Sequence, residues 1–200
     1  HFTPFSPWTQ AEGCATLERT GGIAVTLLKQ FLELGLDCSP IGLGPDTNLG
    51  GYFCTPKGMT ILGWTGGDGI HFGRIRGYGD MVFVVDPLPP AGVQYVRPVA
   101  NSFRDFLRLL LACGNTNPLN WVGDFRTREQ FDATLRAPEN AVTPDAQAVL
   151  ERIAAAFHLA PMEDPFSYIK GVQASFDGGK LRYTNEYYDT LGLPRPDGSE

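Results

Sequence analysis

Between residues 52 and 99 the chain leaves itself no room for a crossover connection. Short apolar runs, "GYFC", "GMTILGW", "GIHFGRI", "MVFVVD" and "VQYVRPV", follow one another through links of a few residues, "TPK", "TGGD", "RGYGD" and "PLPPAG". Parallel strands need a connection of roughly a dozen residues or more, usually a helix, whereas antiparallel neighbours close with a tight turn. The stretch therefore predicts an antiparallel meander. "MVFVVD" is apolar at both parities, which predicts a central strand covered on both faces.

Helical patterns flank the meander. "SPWTQAEGCATLERTGG" reads as a helix capped by Ser6, with Pro7 at its first position and Gly21 and Gly22 at its end. "IAVTLLKQFLELG" places Leu27, Leu28, Phe31 and Leu34 on one face and stops at Gly35. The segment 37–51 is a loop full of chain breakers. In "NSFRDFLRLLLACG" Asn101 or Ser102 caps a helix that carries Phe103, Phe106, Leu107 and Leu110 on one stripe and ends at Gly114. That stripe is expected to share one core with Phe83 and Val85. "REQFDATL" is a short helix. In "TPDAQAVLERIAAAFHLAP" Thr143 caps, Pro144 comes first, and Ala146, Val149, Leu150, Ile153 and Phe157 form the apolar face. "FSYIKGVQASFDGGKLRYTNEYY" reads as two strands about a turn at 177–179.

Strands that cluster instead of alternating with helices indicate an α+β fold and exclude a doubly wound one. The expectation is a single, mostly antiparallel sheet of five to six strands with flanking helices, in one domain over 1–200. The loop 137–142 is the candidate boundary of a C-terminal subdomain, 143–200.

The 200 residues carry a net charge of −6, with 42% hydrophobic and 19% charged residues. This is a globular composition, long enough for a core without metals or disulfides. An acidic surface repels phosphate backbones and steers basic partners, so nucleic acid is not expected as a partner and a basic protein is. No apolar run reaches the roughly 18 residues of a membrane span. Cys14, Cys38, Cys54 and Cys113 are widely spaced and form no C-x-x-C. Buried free thiols in a reducing, cytoplasmic compartment are the plain reading, and two disulfides are the alternative if the chain is secreted. The chain starts at His1 and not Met, so a leader is not judged from it.

The stretch "TGGDGIHFGRI", 65–75, concentrates four glycines, Asp68 and one of three histidines. A phosphate loop would need a Lys and a following helix, and here a strand follows. Cys54, His71 and Asp68 are the only set from which a thiol hydrolase could be built, and that relay requires thiol and imidazole within hydrogen-bond reach. A structural reading explains more of the stretch. "TGGDG" closes a hairpin, Asp68 and the glycines supply turn conformations, and a bulge at Gly73 returns Ile75 to the face of Ile70 and Phe72. His71 then points to solvent or a partner. Replacing Gly67 or Gly69 with Val is expected to destabilise the turn. His1, His71 and His158 share no spacing with a carboxylate cluster, so neither a metal nor a cofactor is expected. A pocket for a small molecule or peptide, lined by Trp64, Phe72, Trp121 and Tyr168, is the third alternative.

"TPKGMTILGWTGGDGIHFGRI", "MVFVVDP" and "YVRPVANSFRDFLRLLL" resemble the SUKH superfamily, which includes bacterial toxin-immunity proteins and relatives of yeast cell-wall assembly regulators. The resemblance rests on the 65–69 turn before an aromatic strand, the strand end at Val84, Val85, Asp86 and Pro87, and the lead-in at Ala100, Asn101, Ser102 and Phe103 to a Leu-rich helix through Phe106 and Leu107. It covers residues 51–113. It implies an α+β fold with flanking helices and a non-enzymatic, protein-binding role against a toxin. With the charge balance, it makes a basic toxin domain the expected partner. The candidate contact residues are Trp64, Asp68, His71, Asp80 and Asp86, and Asp37, Asp46, Asp68, Asp80 and Asp86 are expected to form an acidic rim.

Overall fold

The computed structural model describes residues 26–45 and 50–196. The meander is present as four antiparallel strands in sequential order: β1 (Met59–Trp64), β2 (His71–Ile75), β3 (Val82–Val85) and β4 (Val96–Ala100). Around it lie α1 (Leu27–Glu33), α2 (Phe103–Cys113), α3 (Asn117–Trp121), α4 (Arg128–Arg136), α5 (Pro144–Phe157), α6 (Pro165–Ala174) and α7 (Asn185–Leu191). The class is α+β.

Local chemistry explains the helix ends. The hydroxyls of Thr26, Ser102 and Thr143 accept backbone N–H groups three residues on, satisfying donors that the first turn leaves unpaired. Gly114, with φ +82°, ends α2 in the left-handed conformation. The expected helix before Gly21 lies outside the described residues.

The sheet has four strands, fewer than the five to six expected. "GYFC" is a turn instead. Gly50 and Gly51 both take positive φ, and Tyr52 and Thr55 close on each other through Thr55 N–H to the Tyr52 carbonyl at 2.8 Å and Tyr52 N–H to the Thr55 hydroxyl at 2.8 Å. The C-terminal hairpin is two helices. Asp164 caps α6 by accepting from Ser167 N–H, Pro165 is its first residue, and Ile169 and Val172 fall three apart on the buried side. A cap and a three-residue step outweigh the strand-like composition of "FSYIKGVQ".

β3 is covered on both faces, as its composition requires, and its two parities serve two different cores. Phe72, Val82 and Val84 face α2 and pack with Phe103, Phe106, Leu107 and Leu110. Phe83 and Val85 point the other way, with Ile75 and Cys54, under Phe176, Leu181, Tyr183 and Tyr187 of the C-terminal segment. The single core expected for Phe83, Val85 and the α2 stripe is thereby corrected, since successive strand residues face opposite sides. The bulge lies at Leu62 of β1 and not at Gly73. Ile61 pairs with Gly73 and Gly63 with Phe72, so Ile75 stays opposite the face of Phe72. Gly73 is needed because a Cβ there would meet the Met59 side chain and the Thr60 carbonyl. Residues after 143 contribute Leu150, Ile153 and Ile169 to the same core as Phe106.

Candidate functional site

The turn 65–70 joins β1 to β2. Thr65 N–H donates to the Ile70 carbonyl at 3.0 Å and Ile70 N–H to the Gly67 carbonyl at 3.1 Å. Gly66, Asp68 and Gly69 take φ of +89°, +52° and +71°. Asp68 is an exposed residue in the left-handed region, one that Asp tolerates better than most side chains. A Cβ on Gly69 would fall on the Tyr52 ring, whereas one on Gly67 meets nothing within 4 Å. The two glycines therefore separate. Gly69→Ala is expected to cost about 1–3 kcal/mol in urea unfolding, and Gly67→Ala to stay within about 0.5 kcal/mol of the parent.

His71 does not face solvent. It is fully buried in a cluster of three rings, with Trp64 4.4 Å and Tyr52 6.4 Å from its own ring and 5.9 Å from each other. Its Nδ1 lies 2.9 Å from the Gly69 carbonyl and its Nε2 3.1 Å from the Thr55 hydroxyl. A carbonyl only accepts, so Nδ1 donates to Gly69, and Nε2 pairs with the Thr55 hydroxyl. The histidine thus ties the 52–55 turn to the hairpin. Cys54 is fully buried, and burial pushes its thiol up to about 12. Nucleophilic chemistry needs a thiolate, and the His71 Nε2 that would draw off its proton is engaged by Thr55.

Burial likewise raises Cys38 to about 11 and Cys113 to about 12. An unfolded thiol loses its proton near 8.5. Above that pH the folded state holds more protons than the unfolded one, so stability is full below about 8.5 and falls as pH rises through the folded values. The urea midpoint is expected to be flat from pH 7 to 8 and to drop between pH 9 and 11, by roughly 1 kcal/mol per pH unit for each thiol. A midpoint unchanged at pH 10.5 would contradict this.

Asp80 sits at the opposite end of the sheet, in the β2–β3 turn. It accepts from Phe103 N–H at 2.9 Å and pairs with Arg74 at 2.9 Å, so it helps to start α2. Asp86 is buried at the end of β3, where it accepts from Leu88 N–H at 2.9 Å and faces Arg97 at 3.6 Å. Arg97 is 6% exposed and donates to the Gln94 carbonyl and to the carbonyl and side-chain oxygens of Asn120. The expected acidic rim therefore does not form. Asp86 is inside, Asp80 is paired at the far end, Asp37 turns back on Ser39, and Asp46 lies outside the described residues. The sequence reading missed this polar centre, although an arginine between the valines of "YVRPV" was its signal. The pocket of Trp64, Phe72, Trp121 and Tyr168 does not assemble either. Trp64 packs on His71, Phe72 lies in the α2 core, Trp121 is exposed on α3, and Tyr168 donates to Asp105 and accepts from Asn101 N–H. Among the described residues, no three His, Cys, Asp or Glu side chains gather as a metal set, and no helix is long and apolar enough to cross a membrane.

Among the described residues, one surface keeps main-chain groups without partners. β1 and β4 are the sheet's edges. β4 carries Pro98 and is packed by α6, two common ways of blunting an edge. On the outer side of β1, among the described residues, only Trp64 is bridged, exchanging both hydrogen bonds with Gly44 at 2.8 and 3.0 Å. Arg76 N–H donates to the Gly58 carbonyl at 3.1 Å, which makes that a hydrogen-bonded pair. Such pairs alternate along an antiparallel ladder. Thr60 opposite Arg74 then also faces β2, and the N–H and C=O of Ile61 face outward. Among the described residues no other backbone group meets them. Alongside runs a groove of about 600 Å³, floored by Met59, Ile61 and Leu62 and walled by Gly44, Tyr52 and Thr55. Comparison with protein-family models, with curated proteins and with solved structures finds no match to this chain.

Proposed function

We propose that this chain is a non-enzymatic protein-binding domain that takes an extended segment of its partner as a fifth strand on the open edge of β1. The observation that carries the reading is the outward-facing main chain of Ile61 beside a groove of about 600 Å³. An exposed edge supplies affinity through main-chain hydrogen bonds to an added strand. The fate of the hydrolase residues supports the same reading, because Cys54 is a buried, protonated thiol and His71 is engaged by Gly69 and Thr55. The SUKH resemblance narrows the role to a bacterial immunity protein that neutralises a toxin. The free, buried Cys38, Cys54 and Cys113 suit a cytoplasmic protein. A basic toxin domain loses the rim that was to hold it.

The test pairs the chain with the protein encoded by the adjacent reading frame. We expect a stable complex in size-exclusion chromatography with light scattering. Ile61→Pro should abolish it, since proline removes the outward N–H yet is tolerated on an edge strand. A variant that melts like its parent and still binds would contradict the reading, as would a co-encoded protein that does not bind at all.

A further inference from the structure

The open edge begins beside a cluster of cations in an otherwise acidic chain. Lys57 precedes β1, and its N–H donates to the Arg182 carbonyl at 2.7 Å. The Arg76 side chain lies over Gly58, where an added Cβ would meet its Nε at 3.3 Å. Lys180 N–H donates to the Tyr78 hydroxyl at 3.0 Å, which holds the 178–182 segment against the β2–β3 turn. Lys57, Arg76, Lys180 and Arg182 are all exposed, and none has an ion-pair partner among the described residues. Three acids stand near them. Asp80 is taken by Arg74, Asp177 accepts from Gly179 N–H, and Glu186 lines the same groove as Lys57, one acid against four cations. The cluster is thus locally positive on a chain of net charge −6.

We infer that the segment added to β1 is acidic, with its carboxylates set on Lys57 and Arg76 where the strand begins. This rests on the edge-binding reading above and names the chemistry of its occupant. In an added strand alternate side chains point the same way. Acidic residues at every second position would therefore meet the cations on one face of the sheet, while the apolar residues between them cover Leu62 on the other. Charge complementarity of this kind selects the partner and speeds encounter, and it weakens with salt.

The test uses fluorescein-labelled decapeptides of alternating Glu and Val, Gln and Val, and Lys and Val, followed by anisotropy with the full chain. The Glu peptide should bind most tightly, the Lys peptide least, and the gap should shrink between 0.05 and 0.5 M salt. In Lys57→Glu/Arg76→Glu, whose changes are on the surface, affinity for the Glu peptide should fall about tenfold while that for the Lys peptide rises. Equal binding of the Glu and Gln peptides, unchanged in the double variant, would overturn the acidic assignment and leave the edge-binding reading standing. No peptide bound, with no shift of the Ile61 amide resonance, would count against both. Tighter binding of a single-stranded oligonucleotide than of the Glu peptide would also overturn the assignment, because the cations would then serve phosphate. So would self-association of the double variant without peptide binding, because the cations would then only guard the edge.

Discussion

Phe106→Ala is expected to cost about 3–5 kcal/mol, more than any other single apolar truncation proposed for this chain. Phe106 is fully buried, its ring 5.6 Å from Phe72 and 6.3 Å from Phe103. It joins α2 to the sheet at the centre of the larger core, with Leu107 and Leu110 beside it on the same stripe. Removing the ring leaves a cavity beside the Phe72 and Phe103 rings, and its cost adds to the lost burial. Urea unfolding with an unchanged denaturant slope checks the figure. A loss under about 1 kcal/mol would show that the helix does not depend on this contact. Phe83→Ala tests the two-core division. It should destabilise by loosening Phe176 and Tyr78, which pack on its ring at 5.5 and 5.3 Å, while leaving α2 in place.

The second large effect is electrostatic. Asp86→Ala should cost about 3–5 kcal/mol, because it leaves the Arg97 guanidinium buried with no anion in contact. Burial lowers the Arg97 pKa from its usual value while the charges of Asp86, first, and Asp124 oppose that shift, so Asp86 is the main carboxylate that keeps the buried cation tolerable. The pair spans the last residues of β3 and the first of β4, and through Asn120 it fixes the end of α3. Replacing both charges at once, as Asp86→Leu/Arg97→Met, should recover most of the loss, since two apolar side chains carry no desolvation penalty. Equal destabilisation in the single and double variants would mean that shape, not charge, governs the site.

The elements that were legible in the sequence carry strong local signals. Link length alone decides the antiparallel meander, and Ser102, Thr143, Pro144 and Gly114 mark helix ends that the structure places as read. The C-terminal helices were not legible. α7 is short, its cap residue Thr184 makes no side-chain bond, and Tyr183 and Tyr187 resemble strand residues. Their rings stack at 3.9 Å to cover the second face of the sheet, a tertiary demand that no local pattern announces. Trp64, Asp68, His71 and Asp86 do share one end of the meander, as connectivity dictates, and Asp80 lies at the other. Their burial was not legible, since it depends on where the 50–58 loop and α3 return. The edge position of β1, bridged among the described residues by Gly44 alone, was hidden for a related reason. A strand becomes an edge by what fails to pair with it, and that is settled by the whole topology.

The most direct measurement is the hydrogen-exchange rate of the Ile61 amide, read by NMR in the free chain and again with the co-encoded partner bound. An outward edge amide should exchange freely in the free protein, far faster than the amides of β3, and should become protected in the complex together with new contacts to an extended segment. An Ile61 amide already protected in the free chain, or one that stays exposed in a complex that demonstrably forms, would contradict strand addition at β1.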